Sequence, residues 1–91
     1  LDLSHGKFGD EIVASLNRLG GIKYLNLFGT QLTDSGLEDL QVPKSGQLFL
    51  GNTKVRNAAL AKARADKPNV TIYGNPDVNQ TLGITEKASR N

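Results

Sequence analysis

Apolar residues recur at alternate positions in four places along the chain, as Leu-x-Leu in Leu1-Asp2-Leu3, Leu25-Asn26-Leu27 and Leu48-Phe49-Leu50 and in the degenerate form Val70-Thr71-Ile72. A period of two marks a strand whose faces meet different surroundings. After the first of these the period lengthens to three or four, as in Ile12, Val13, Leu16 and Leu19, which is one face of a helix. The same change follows the next two. The chain therefore reads as strands near 1–3, 24–28, 47–50 and 70–73, with helices near 10–19, 34–41 and 57–66. Gly20-Gly21 stops the first helix, Pro43-Lys44-Ser45-Gly46 turns the second back towards a strand, and Lys67-Pro68-Asn69 does so for the third.

The four pairs stand 24, 23 and 22 residues apart, which makes them an internal repeat. Aligned on the second Leu of each pair, Phe8, Leu32 and Val55 share one column, Val13, Leu37 and Leu60 a second, and Leu16, Leu40 and Ala63 a third. A further column holds Asp10, Asp34 and Asn57, whose side-chain oxygens suit them to cap the first turn of each helix. One strand and one helix cannot bury their apolar faces alone. Copies must therefore stack side by side, with their strands parallel, to build one continuous core.

Residues 25–40 run Leu-Asn-Leu-Phe-Gly-Thr-Gln-Leu-Thr-Asp-Ser-Gly-Leu-Glu-Asp-Leu. They fit the pattern L-x-L-x-x-T-x-V-T-D-x-G-L-x-x-L throughout, with Leu32 in the Val slot, and Pro68-Asn69-Val70-Thr71-Ile72 looks like the close of such an array. In these residues the chain resembles the leucine-rich repeat family, in its bacterial ribonuclease-inhibitor-like form. The resemblance implies an α/β right-handed solenoid of about three strand–helix repeats with a parallel sheet on its concave face. Residues 1–73 read as the end of a longer array: no cap precedes Leu1, so either upstream repeats or packing of the first copy on another chain is expected, and the start inside a strand favours upstream repeats. Residues 74–91 follow as a tail or weak cap in which Val78, Leu82 or Ile84 folds back over the last repeat. Arrays of this type are often appended to planctomycete-type cytochrome c domain proteins, so a periplasmic or cell-envelope setting is implied as well. Thr30 and Thr53 stand where many such repeats place Asn to bond the turn backbone, and Gly6 holds that slot in the first copy. A hydroxyl can do part of that work, whereas Gly cannot.

Composition narrows the chemistry. The 91 residues are 37% apolar and 22% charged, an ordinary globular mixture. With no Cys and one His, disulfide frameworks, zinc knuckles, iron–sulfur clusters and haem attachment lack their ligands, so no metal or cofactor is expected. No apolar run is long enough to span a bilayer, and direct membrane insertion is not expected. A net charge of +2 is small for a nucleic-acid binder. Lys54, Arg56, Lys62, Arg64 and Lys67 concentrate in the third repeat, yet their helical spacing spreads them over several faces, and nucleic acid is not expected as a partner. Asp10-Glu11 and Glu38-Asp39 diverge on their helices, and Ser4-His5 lacks the turn of a nucleophile elbow. An enzyme is not expected.

The alternation that buries the Leu pairs turns Asp2, Ser4, Tyr24, Asn26, Phe28, Gln47, Phe49, Thr71 and Tyr73 to the other face of the sheet. The resemblance makes this the concave face, where partners often bind in the family. Four of the chain's five aromatics belong to the set. Aromatic side chains on rigid strands offer contact area at low entropic cost. Tyr24, Asn26, Phe28, Gln47, Phe49 and Tyr73 are therefore the candidate protein-binding residues of a non-catalytic interaction module, its partner an unknown protein or a neighbouring domain. The alternative reading is a structural spacer or terminal cap domain of a larger bacterial cell-envelope, cytochrome-associated protein, with self-association expected through any open solenoid end.

Overall fold

The structure is a computed structural model and describes residues 1–75, so the expected cap of Val78, Leu82 or Ile84 lies outside the described residues. A 3-10 turn at Asp10–Ile12 leads into α1 (Val13–Asn17), followed by β1 (Tyr24–Asn26), α2 (Asp34–Asp39), β2 (Gly46–Phe49), α3 (Asn57–Asp66) and β3 (Val70–Tyr73). The three strands form one parallel sheet in the order β1-β2-β3. Leu1–Leu3 lies beside β1 and joins it through a single bridge, Asp2 to Asn26, rather than as a full strand. The expected strand–helix alternation and parallel pairing are present, and the sheet is open rather than closed into a barrel.

The core is the expected Leu ladder. Leu25, Leu27, Leu48 and Leu50 from the strands and Val13, Leu16, Leu37, Leu40, Leu60 and Ala63 from the helices are buried in one cluster, with Leu32, Val55 and Ile72. All three aligned columns contribute, although Phe8 is only half-buried at the first position of its column. Helices therefore cover one face of the sheet. Ala63 takes the place of Leu16 and Leu40, so the third helix brings less apolar volume to the core. Helix ends are shorter than the periodicity suggests. α2 stops at Asp39 and Leu40 is already extended, three residues before Pro43, which would not itself allow Val42 to continue the helix.

Two expectations are corrected. The alternation aligns Val70-Thr71-Ile72 with Leu48-Phe49-Leu50, but the register pairs Leu48 with Ile72 and Phe49 with Tyr73. The structural repeat is thus Ile72-Tyr73-Gly74. A slip of two residues keeps every side chain on its own face, which is why the alternation could not reveal it. Gly74 then stands in the slot of Leu27 and Leu50, where a Cβ would collide with the Leu60 side chain.

The second correction concerns the acidic column. Gly9, Thr33 and Arg56 occupy the three N-cap positions, and none makes a side-chain cap hydrogen bond. Asp10 and Asp34 are the first residues inside their turns and reach sideways into the next repeat. The Asp10 carboxylate accepts the Thr33 N–H at 2.8 Å and the Thr33 hydroxyl at 2.5 Å. Asp34 accepts the Arg56 N–H at 2.8 Å and the Arg56 Nε–H at 2.7 Å. The two aspartates of the column cross-link repeats instead of capping helices. Gly36 makes this possible, since a Cβ there would occupy the space of the Asp10 carboxylate. Asn17 ties the other end of the helices in the same way, donating to the Asp39 carbonyl at 2.9 Å and accepting the Gln41 N–H at 2.8 Å.

The turns after the strands repeat as well. His5, Gly29 and Asn52 hold the same position two residues after the second Leu, all with positive φ of 62°, 75° and 54°. His and Asn tolerate this region better than most side chains, and Gly has no Cβ to clash. One residue later the Thr30 and Thr53 hydroxyls donate to the carbonyls of Leu27 and Leu50 at 2.8 and 2.7 Å. The hydroxyls close the turn as expected.

Candidate functional site

The register sets the outward residues in rows. Tyr24, Gln47 and Thr71 form one row, and Asn26, Phe49 and Tyr73 form the next, with Asp2 continuing it past β1. Neighbouring strands in a sheet lie about 4.8 Å apart, close to the thickness two packed rings require. Phe49 and Tyr73, directly opposed, accordingly stack with ring centroids 4.6 Å apart and planes 12° from parallel. Tyr24 lies diagonal to Phe49 and meets it at 5.3 Å with a tilt of 49°. A three-ring row thus crosses all three strands.

This row is held and still available. Tyr24 and Tyr73 are 41% and 43% exposed, while Phe49 between them is half-buried by its neighbours. Aromatic pairs of this geometry contribute about 0.5–1.5 kcal/mol beyond area burial, which favours the arrangement before any partner arrives. Gln47 borders it as an exposed amide.

The other candidates divide. Phe28 belongs to the next row and packs edge-on against His5, with centroids 5.4 Å apart at 71°. Its ring also lies over Gly51, where a Cβ would come within 2.8 Å of it. Asn26 serves the backbone, because its Oδ1 accepts the Phe28 N–H at 3.0 Å and so ends β1 in a turn. Asp2 does the same for the Ser4 N–H at 2.9 Å. Hydrogen bonds from Ser4, side chain first and then backbone, hold the Asp2 carboxyl below its ordinary value. Of the six candidates, Tyr24, Phe49, Tyr73 and Gln47 come together as one surface, Phe28 belongs to a neighbouring aromatic pair, and Asn26 supports the turn between them.

The basic residues of the third repeat do not form one patch. Arg56 pairs with Asp34 at 2.7 Å and Lys62 with Glu38 at 3.1 Å, both across the α2–α3 junction. That bond and the charge of Glu38 raise the Lys62 ammonium above its usual value. Arg64 turns to the strand edge and binds the Ile72 carbonyl. A groove of about 450 Å³ between α2 and α3 carries both signs of charge on its rim, from Asp34, Glu38, Asp66, Lys62 and Lys67. Asp10 and Glu38 are likewise drawn into contacts between repeats, and His5 into its contact with Phe28. Among the described residues no three His, Cys, Asp or Glu side chains gather as a metal-binding group. No helix there is long and apolar enough to cross a membrane.

No family model, curated protein or solved structure matches the chain. The ring stacking and the Arg64 contact are not legible in the sequence, since both depend on which residues of different repeats become opposed. The signal for the first lies in the 24-residue offset between Phe49 and Tyr73, which the two-residue misalignment hides.

Proposed function

We propose that this chain is a non-catalytic protein-binding module of the leucine-rich repeat kind, with the outward face of its parallel sheet as the binding surface. One observation carries the reading: Tyr24, Phe49 and Tyr73 form a contiguous ring row across three strands while both tyrosines stay more than 40% exposed. A surface whose side chains already pack against one another loses little freedom on binding, and Tyr is among the residues enriched at interface hot spots. The side chains of the row and of Gln47 and Thr71 are uncharged, which suits a partner segment with apolar and amide character. The repeat architecture and the motif in residues 25–40 support the family reading. By that resemblance the setting is a bacterial cell envelope or periplasm.

A photo-reactive residue at position 49 tests the surface, with exposed Ala61 on α3 as the control site. The expected result is a specific protein adduct at 49, absent at 61, and lost when Tyr24→Ser and Tyr73→Ser are introduced together in a chain that still folds. Equal adducts at both sites, or an adduct indifferent to the tyrosines, would sink the proposal.

A second reading is a spacer or terminal cap domain of a larger envelope protein that binds its own neighbouring domain. Leu19, 47% exposed just before Gly20-Gly21, favours it, because an exposed large apolar side chain offers a surface for packing. In that case adducts would form at Leu19 and not at position 49.

A further inference from the structure

Two loops meet where the first repeat joins the second: residues 18–23 lead out of α1 into β1, and residues 41–45 lead out of α2 towards β2. They are tied together at both ends. Asn17 makes the first tie, through its bonds to the Asp39 carbonyl and the Gln41 N–H. At the other end the Lys23 carbonyl accepts the Gln47 N–H at 2.9 Å, and Gly46 comes so close that a Cβ there would collide with that carbonyl. Between the ties lies a pocket of about 340 Å³, lined by residues 17–23 with Val42, Lys44 and Ser45. Its walls are fixed before anything enters it.

This pocket carries one sign of charge. Arg18, Lys23 and Lys44 are exposed around it, no acidic residue lines it, and among the described residues none of the three belongs to an ion pair. Helix electrostatics account for one of them at most. Arg18 is the C-cap of α1, where a cation suits the negative end of the helix, whereas Lys23 and Lys44 lie in the loops. The junction of the second and third repeats differs, because Arg56 and Lys62 are neutralised there by Asp34 and Glu38. Apolar surface accompanies the cations. Val42 is buried, Ile22 half-buried and Leu19 largely open to solvent.

We propose that this pocket docks an acidic segment of a partner protein, one aliphatic side chain entering against Leu19, Ile22 and Val42 while carboxylates on either side of it meet Arg18, Lys23 and Lys44. Charge complementarity selects the acidic partner, and the apolar lining asks for more than a bare anion. The hollow shape selects a protruding side chain over a lipid surface, which calls for a flat or convex apolar face. Because the cations are exposed, binding weakens as salt rises. The inference does not rest on the aromatic row.

A heteronuclear NMR titration of the full chain with the end-blocked peptide Glu-Asp-Leu-Asp-Glu tests it. Shifts should concentrate at residues 18–23, Lys44 and Ser45. Lys44→Glu should weaken the peptide about tenfold or more, while Lys54→Glu, the same change of charge at an exposed site in the third repeat, should alter affinity less than about twofold. Leu19→Ser, or Ser in place of Leu in the peptide, should weaken it about fivefold. Leu19, Lys44 and Lys54 are all exposed, so the variants should fold. Failure of the peptide at millimolar concentration to shift these amides overturns the proposal, as do equal losses from the two lysine variants or a Ser peptide that binds as well as the Leu one. Sedimentation with phosphatidylserine vesicles supplies the other arm: vesicle binding that Leu19→Ser abolishes, with no peptide bound, would assign the pocket to a membrane surface instead.

Discussion

Single residues in this chain act mainly between repeats. Asp10 and Asp34 look like helix caps in the sequence because they precede apolar periodicity, yet each lies one residue inside its turn, where the side chain meets the neighbouring repeat before its own amides. Asp10→Ala should lower the unfolding free energy by about 1–2 kcal/mol in a urea titration, since the Thr33 N–H and hydroxyl lose their acceptor together. For Asp34 the test is pH. The Arg56 N–H, then its guanidinium, hold the Asp34 carboxyl below the ordinary value of 3.8. A carboxyl lowered in the folded state stabilises it fully above the unfolded value, and this contribution fades as pH falls through the lower folded value. Asp34→Asn keeps an acceptor and removes the charge. Its urea midpoint should therefore lie below that of the intact protein at neutral pH, and the gap should narrow as pH drops below 3.8.

At the scale of elements, each repeat works through its turn as much as through its strand. The strands are three or four residues long, and their alignment comes from a positive-φ residue and then a threonine hydroxyl on the strand carbonyl. Thr30 is buried, while Thr53 is half-buried. Thr30→Val, which keeps the shape and deletes the donor, should destabilise by about 1–2 kcal/mol, and Thr53→Val by less because water can serve its partner carbonyl. Thermal unfolding of the two variants side by side checks the order. The elements were legible to different degrees. α3 and β3 match their expected bounds, whereas the first helix begins as a 3-10 turn and ends two residues early, and α2 gives way before Pro43. The periodicity names the apolar face of a helix but not where its hydrogen bonding stops, which here depends on the residues beyond each helix and their place in three dimensions.

Across the whole molecule, stability should follow position in the sheet. β2 is paired on both sides, and Leu48 and Leu50 lie at the centre of the core with no more than 1% exposure. In a stacked array each repeat draws support from its neighbours, so a central unit opens last. Amide exchange should be slowest at Leu48 and faster at Asn26, whose donor bond goes to the bridge-held Leu1. Equal protection at the two would mean that the described repeats open as one unit rather than from an end.

The Leu pairs, the lengthening of period after them and the 25–40 motif determine by themselves that strands alternate with helices, that the strands are parallel, and which side of each strand is buried. These properties are local or periodic, and alternation carries them faithfully. Tertiary structure alone decided the register of the last strand, the sideways reach of Asp10 and Asp34, the stacking of Phe49 on Tyr73, and the closing of the Ile72 carbonyl by Arg64. Each of these joins residues 8 to 24 apart across a gap of a few ångströms. A two-residue slip of the last strand leaves the pattern of buried and exposed positions unchanged while exchanging its partners, and the pattern says nothing of how far a side chain such as Asp10 reaches sideways.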